Sequence, residues 1–147
     1  MEKVNLAQKF GKIREYWKPY VAAELNGQLV KLDKLKGEFV WHRHESEDEM
    51  FLVVRGRFRM DLRDRRKSAS MEMRFPRTKA SPGERGKRGR RDKPVMLEEG
   101  EFLVVPRGVE HRPVADEEAW VVLFEPASTF NTGNVENERS LRKLERI

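Results

Sequence analysis

The sequence has no cysteine, only three histidines and two tyrosines, and no long apolar segment. Without cysteine the chain can form no disulfide, no thiolate metal site and no cysteine nucleophile. No apolar run approaches the roughly 18–20 residues of a membrane-spanning helix, and the first ten residues lack the apolar core of a secretion signal. We therefore expect no membrane association and a cytoplasmic location.

Apolar residues are nevertheless frequent enough for a folded chain. Leu, Ile, Val and Phe supply 36 of the 147 residues, which is above the ~20% level below which disorder becomes common. A chain of this length suits one domain with a sizeable core. We expect residues 1–147 to form a single domain.

Positive charge is concentrated in one segment. The segment Arg63–Lys93 contains 13 basic and 4 acidic residues, whereas the whole chain has a net charge of only +6. This segment is highly charged and has few apolar residues. It cannot bury enough apolar surface to offset the conformational entropy lost when it becomes ordered. We interpret it as a basic, mobile insert in a mildly acidic domain. Its single aromatic residue, Phe75, offers no platform for base stacking, so nucleic-acid binding is not predicted.

Most of the remaining chain has the pattern of short strands. Alternating residues and turn signals predict strands at Tyr20–Leu25, Gln28–Leu35, Glu49–Val54, Phe58–Leu62, Val95–Leu97, Glu101–Val105 and Trp120–Phe124. Many short strands with regular turns are typical of an all-β sandwich or barrel. Helical spacing occurs only near the ends, which predicts a short helix over Asn5–Lys12 and another after Asn137.

The three histidines are His42, His44 and His111. His42 and His44 are two residues apart, so their side chains share one face of an extended segment. Glu49 begins the next predicted strand, and a hairpin can return its carboxylate to the histidines. Three imidazoles and one carboxylate suit a divalent metal such as Zn, Fe, Mn, Ni or Cu. Taken alone, however, a His-x-His pair is more often a surface or polar-network feature.

The spacing around these residues resembles both motifs of the cupin superfamily. In the first motif His-x-His is followed after four residues by Glu and after six more by Gly. The second runs Gly, five residues, Pro, one, Gly, two, His. Here the first motif comprises His42, His44, Glu49 and Gly56, and the second comprises Gly100, Pro106, Gly108 and His111.

Two positions depart from the family pattern. Gly37 has four rather than five residues between it and His42, and Ala115 stands where the family has Asn. Neither change removes a metal ligand. The resemblance extends from about Lys31 to Phe124 without the basic segment, and the tail is similar to that of small conserved-barrel (cupin type 2) proteins.

The resemblance implies an all-β double-stranded β-helix, a jelly-roll barrel, with a divalent metal held by His42, His44, Glu49 and His111 inside one end. It also implies a homodimer, and a small organic molecule as substrate or ligand. The N-terminal aromatic residues can pack on this barrel or on a partner's.

Two functions remain open. The first is a small metal-dependent enzyme, such as an oxygenase, isomerase or lyase, acting by Lewis-acid or dioxygen chemistry. The second is a non-catalytic module that binds or senses a small ligand. No second acid–base pair is evident outside the four ligands. With the strand register left open, the expected pocket walls are Val40, Phe51, Val53, Phe58, Met60, Phe102, Val104, Trp120, Val122 and Phe124.

Overall fold

The computed structural model describes residues 3–63 and 94–147, which form one short helix and seven strands. The helix α1 spans Leu6–Phe10 and is capped by the Asn5 side chain, which accepts a hydrogen bond from the Gln8 N–H. The strands are β1 Tyr20–Leu25, β2 Gln28–Glu38, β3 Glu49–Arg55, β4 Phe58–Arg63, β5 Val95–Leu97, β6 Phe102–Val105 and β7 Glu110–Pro126. The N-terminal helix and most strand positions are therefore as predicted.

The longest strand, β7, organises the sheet. Along one edge it pairs with β2 for almost its whole length, and along the other it pairs first with β4 and then with β3. The pairings are all antiparallel, and the main strand order is β1-β2-β7-β3-β6, with β5 joined to β4. One strand therefore hydrogen-bonds to three others and holds the sheet together.

The barrel interior is an apolar core built from alternating residues. On β3 the inward residues are Phe51 and Val53, and on β4 they are Phe58 and Met60, all nearly fully buried. Burial alternates over the first four residues of β4, although Arg59 and Asp61 are half-buried where exposed residues were predicted.

A second core covers the outer face of β2 and β7. Phe10 and Ile13 of the N-terminal arm pack there against Leu32 and Val122. The Phe10 ring also stacks on Trp120 with centroids 5.0 Å apart. The arm therefore buries Phe10 on its own barrel, which is the intramolecular alternative left open by the sequence.

The pocket walls predicted on β6 and β7 were wrong. Alternate residues of a strand face opposite sides of the sheet, and on these two strands the predicted residues include outward-facing ones. Phe102 and Val104 of β6 are 64% and 47% exposed, so their side chains lie outside the barrel. On β7, Trp120 and Val122 belong to the outer core, whereas Val121 and Leu123 face the interior. Both faces of β7 are apolar, and for this reason its hydrophobic pattern did not reveal the register.

The predicted C-terminal helix is also wrong. Residues 131–147 form turns and bends, and the last residues pair with the free edge of β1. Val21 donates its N–H to the Glu145 carbonyl and accepts a hydrogen bond from the Ile147 N–H. Pairing with an open strand edge satisfies these backbone groups and outweighs a weak local helical pattern.

The basic insert predicted at Arg63–Lys93 lies outside the described residues, apart from Arg63 at the end of β4. Among the residues that are described, no helix is long and apolar enough to span a membrane.

Candidate metal centre

His42 and His44 lie on an extended segment between β2 and β3. His42 forms an isolated antiparallel bridge with His111, the second residue of β7. The carbonyl of His44 accepts a hydrogen bond of 2.7 Å from the N–H of Gly108, where the chain turns with φ of 76°. Backbone contacts between the two cupin-like motifs therefore fix both ends of the His-x-His segment.

Glu49 is the first residue of β3, where it pairs with Val105 of β6. Its side chain is buried, as are those of the three histidines. The polar residues 45–48 form the turn that brings it back. This agrees with the hairpin return expected from the sequence.

All four predicted ligands converge. One donor atom from each of His42, His44, Glu49 and His111 lies within 4.8 Å of the others. Glu49 Oε2 is 3.2 Å from His44 Nε2 and 3.4 Å from His111 Nε2. Two atoms that each lie about 2.1 Å from one metal are separated by roughly 3.0 Å in octahedral and 3.4 Å in tetrahedral geometry. The observed separations fall in this interval.

Backbone carbonyls select the tautomer of two histidines. His42 Nδ1 lies 3.0 Å from the Val40 carbonyl, and His111 Nδ1 lies 3.0 Å from the Val109 carbonyl. A carbonyl only accepts, so each Nδ1 carries the proton and each Nε2 keeps a free lone pair. Metal-binding histidines commonly have this second hydrogen bond, which also fixes the ring orientation.

Burial shapes the electrostatics of the centre. Burial, followed by the neighbouring His111, lowers the pKa of His42 to about 3, so this imidazole is neutral at physiological pH. The centre therefore presents a neutral His42 imidazole, the protonation state that metal coordination requires.

The C-terminal loop contacts the segment that carries His42 and His44, through Gly133 and Asn134. Arg43 donates its N–H to Asn134 Oδ1 and accepts a hydrogen bond from the Asn134 N–H, at 2.9 and 3.1 Å. Gly133 lies so close that a Cβ there would overlap the Arg43 carbonyl and come within 3.2 Å of the His42 ring. The tail thus supports the geometry of His42, a role that the motifs did not reveal.

The residues present fit a divalent metal. His44 Nε2, His111 Nε2 and Glu49 Oε2 are buried and have no hydrogen-bond partner among the described residues. An unpaired buried polar atom costs roughly 1–3 kcal/mol, and here three such atoms face one another. A shared cation satisfies all three at once, and imidazole with carboxylate is a donor set suited to Zn, Fe, Mn, Ni or Cu.

A small cavity of about 30 Å³ adjoins the centre. His42 and Glu49 form part of its wall, together with Asp33 and Glu125. The sequence analysis missed these two carboxyl groups, since it found no second acid–base pair outside the four ligands. Lys31, also missed, is fully buried against Glu125.

The residues on either side of His111 point away from the centre. Arg112 reaches the outer surface, where it forms ion pairs of 2.7 Å with Glu38 and 2.8 Å with Asp61. Glu110 lies 3.9 Å from Arg63. These charged residues belong to the outer wall of the barrel.

Comparisons with known proteins agree with this architecture. No family model matches the chain. It is 23% identical over 108 residues to the uncharacterised protein YdbB of Bacillus subtilis, covering 74% of this chain and 72% of that protein. The fold is similar, with a TM-score of 0.64, to hydroquinone 1,2-dioxygenase from a Sphingomonas species, at 16% identity over 86% of this chain and 33% of the dioxygenase.

The relationship to a cupin-2 domain protein of Shewanella frigidimarina is stronger. The identity is 33%, the match covers 84% of this chain and 93% of that protein, and the TM-score is 0.64. The all-β jelly-roll fold expected from the two motifs is therefore confirmed, and the chain belongs to the cupin superfamily.

Proposed function

We propose that the protein is a small metal-dependent enzyme in which His42, His44, Glu49 and His111 hold one divalent transition metal. The observation that carries this proposal is the set of unpaired buried donor atoms on His44, Glu49 and His111, which face one another. Most buried polar side chains have a hydrogen-bond partner, and these three atoms have none among the described residues.

When bound, the metal supplies Lewis-acid activation of a substrate oxygen or, if it is redox-active, dioxygen chemistry. The chain itself contributes positioning. The Val40 and Val109 carbonyls keep both Nε2 atoms of His42 and His111 directed at the centre. The apolar barrel wall excludes water from one side, while a small cavity lined in part by His42 and Glu49 reaches the centre from the other. The reaction classes compatible with such a centre are oxygenase, isomerase and lyase.

The first test is metal binding. Protein purified from its native host should contain about one equivalent of a transition metal, measured by inductively coupled plasma mass spectrometry. The metal-free protein should take up Co²⁺ with the visible absorption of nitrogen and oxygen ligands. Absence of both the native metal and Co²⁺ uptake would refute the proposal.

A non-catalytic ligand-binding module is the second candidate, and the burial of all four donor residues favours it. A closed structural centre has no exchangeable coordination position, whereas a catalytic one keeps at least one open. Addition of azide to the Co²⁺ protein should change its visible spectrum if the centre is catalytic. An unchanged spectrum would favour the binding module.

We further propose a homodimer formed through the outer face of β6. Phe102 and Val104 are the exposed apolar residues of this strand, and they lie beside Leu52 and Met50 of β3. β6 stands at one end of the strand order. Contiguous exposed apolar side chains on a sheet mark protein interfaces more often than free surface.

Sedimentation velocity provides the test. The unmodified protein should sediment as a dimer at micromolar concentration, and the double variant Phe102→Ser with Val104→Ser should sediment as a monomer. Leu25→Ser is the matched control, because Leu25 is 48% exposed on β1 at the other end of the strand order. A monomeric unmodified protein, or dimerisation lost equally in the control, would contradict the proposed interface.

A further inference from the structure

The cavity beside the metal centre is too small for the organic molecule that the proposed function requires. Its volume of about 30 Å³ accommodates a water molecule, which needs roughly 10–15 Å³. Pockets for organic ligands measure roughly 300–1,000 Å³. Part of the cavity wall has to move, therefore, before an organic molecule can reach His42 or Glu49.

The sheet holds a large part of this wall in place. Asp33 and Leu35 belong to β2, Phe51 to β3 and Leu123 to β7. Paired strands of a core open only at a cost close to that of unfolding the whole domain. The movable part of the wall is therefore to be found outside the strands, where the described lining residues are Trp17, Pro19, Phe39, His42 and Asn131.

Among these residues, Phe39 has the side chain that is most free to turn. Trp17 donates its N–H and its indole N–H to two carbonyls of β2, at 3.0 and 2.8 Å. The Asn131 side chain forms two hydrogen bonds of 2.8 Å to backbone groups of the C-terminal loop. His42 is held by its backbone bridge to β7, and the Pro19 ring is part of the backbone. A phenyl ring forms no such hydrogen bonds and changes position by rotation about its side-chain torsions.

An open groove of about 340 Å³ lies next to the same ring. Phe39 is the one lining residue that this groove and the inner cavity have in common. Its ring therefore stands between the two spaces, and a rotation toward the groove would join them. The groove is completed by Glu38, Val40, Asn137, Glu138 and Arg139.

Arg139 covers the ring from the groove side. Its Nη1 donates to the Glu38 carbonyl at 2.7 Å, which fixes the guanidinium. The guanidinium carbon lies 5.6 Å from the centre of the Phe39 ring and 5.9 Å from that of the Trp17 ring. A cation within about 6 Å of an aromatic ring is attracted to it. These contacts hold the Phe39 ring against Trp17, in the position that closes the inner cavity.

From this arrangement we infer that Phe39 is the gate of the metal centre and that Arg139 is the positioning residue that keeps it closed. The inference rests on the proposed metal centre and adds the factor that selects its ligands, which is their size. Molecules of a few atoms reach the metal through the closed cavity. A larger organic molecule enters by way of the groove, after Arg139 has left the Phe39 ring.

The test uses two carboxylates that bind a metal through the same group and differ in size. Formate and benzoate are mixed with the Co²⁺-loaded protein in a stopped-flow instrument, and the visible spectrum gives their association rates. Arg139→Met retains an unbranched side chain but removes the hydrogen bond and the cation–ring contacts. It should raise the association rate of benzoate about tenfold and leave that of formate unchanged.

Two further variants separate this role from a structural one. Arg142→Met is the matched control, because Arg142 belongs to the same loop but is exposed, pairs with Glu136, and lines neither the cavity nor the groove. It should leave both rates unchanged. In a Phe39→Leu background the ring is absent, so Arg139→Met should no longer accelerate benzoate. A general loosening of the loop would act with or without the ring.

The outcomes distinguish the inference from the proposed function. Failure of the unmodified protein to take up Co²⁺ or to bind formate would refute the proposed catalytic centre and the inference together. Normal formate binding, with a benzoate rate that Arg139→Met leaves unchanged or that Arg142→Met raises equally, would refute the gate alone. Should Phe39→Leu not fold, the comparison of the two arginine variants still decides.

Discussion

His42 and His111 are joined by a reciprocal pair of backbone hydrogen bonds. Each donates its N–H to the carbonyl of the other, at 3.0 and 2.8 Å, and their ring centroids lie 4.2 Å apart. Backbone hydrogen bonds thus hold two of the four donor residues in position beside each other, although 69 positions separate them in the sequence. Such a centre keeps its geometry even when one of the other ligands is lost.

This arrangement predicts the effect of removing ligands. His44→Ala and Glu49→Gln should each lower the affinity for Co²⁺ at least about 100-fold, because loss of even an outer-shell partner costs 10–100-fold. The melting temperature of the metal-free protein should change little, since the His42–His111 bridge remains. Glu45→Gln is the control, because Glu45 is exposed and forms an ion pair with Arg43 at the surface. Unaltered Co²⁺ affinity in both ligand variants would refute the centre.

Sequence spacing was sufficient to predict that the four candidate ligands converge, but it did not reveal their surroundings. The motifs fix the distances along the chain, and strand alternation then fixes the faces. Lys31 and Asp33 were missed because β2 is apolar on both faces, with Leu32 on one and Leu35 on the other. Only the pairing of β2 with β7 shows that Lys31 shares the interior with Glu125.

The ends of strands were predicted less well where tertiary contacts determine how far the strand extends. The sequence indicated only Trp120–Phe124 for β7, which in fact begins at Glu110. Its first half includes Pro113 and an acidic run, both poor strand signals. Pairing with β2 on one side and β4 on the other forms the strand in spite of them.

Acid stability should depend on Asp61. Burial acts to raise the pKa of this carboxyl, but hydrogen bonds from Arg112 and Arg59 outweigh it and hold the pKa below the usual 3.8. A depressed folded-state pKa contributes stability that is present above the unfolded value and is lost as the pH falls through the folded value. Asp61→Asn should therefore destabilise the protein by about 1–3 kcal/mol at pH 7, and by progressively less below pH 4.

Urea unfolding at several pH values measures this dependence. The difference in free energy of unfolding between the unmodified protein and Asp61→Asn should shrink as the pH decreases from 5 to 2. Glu99→Gln serves as the control, since Glu99 is exposed in the turn between β5 and β6. A difference that does not vary with pH would show that the two arginines do not stabilise the ionised form.

We propose that the basic segment is dispensable for the fold. β4 ends at Arg63 and pairs with β5, with Met60 opposite Val95, so the two flanks are held together by the barrel. Replacement of residues 65–91 by a short Gly-Ser turn should leave cooperative unfolding and Co²⁺ uptake intact, although it removes 11 of the 31 basic residues. Loss of cooperative unfolding would instead assign this segment to the core.

The contact between the C-terminal loop and the histidine segment leads to a prediction at Gly133. Gly133 has a φ of 51°, and a Cβ there would overlap the Arg43 carbonyl and approach His42 Cδ2. Gly133→Ala should displace residues 42–43 and weaken Co²⁺ binding about tenfold or more, by analogy with other supports of a metal ligand.

Gly37→Ala is the matched control for this substitution. Gly37 also has a positive φ, of 79°, but nothing lies within 4 Å of its Cβ position. Both substitutions incur the left-handed backbone cost of roughly 1–2 kcal/mol, so both should lower the melting temperature. Only Gly133→Ala should also lower Co²⁺ affinity. If the two variants lose affinity equally, the effect is one of general stability, and the C-terminal loop does not support His42.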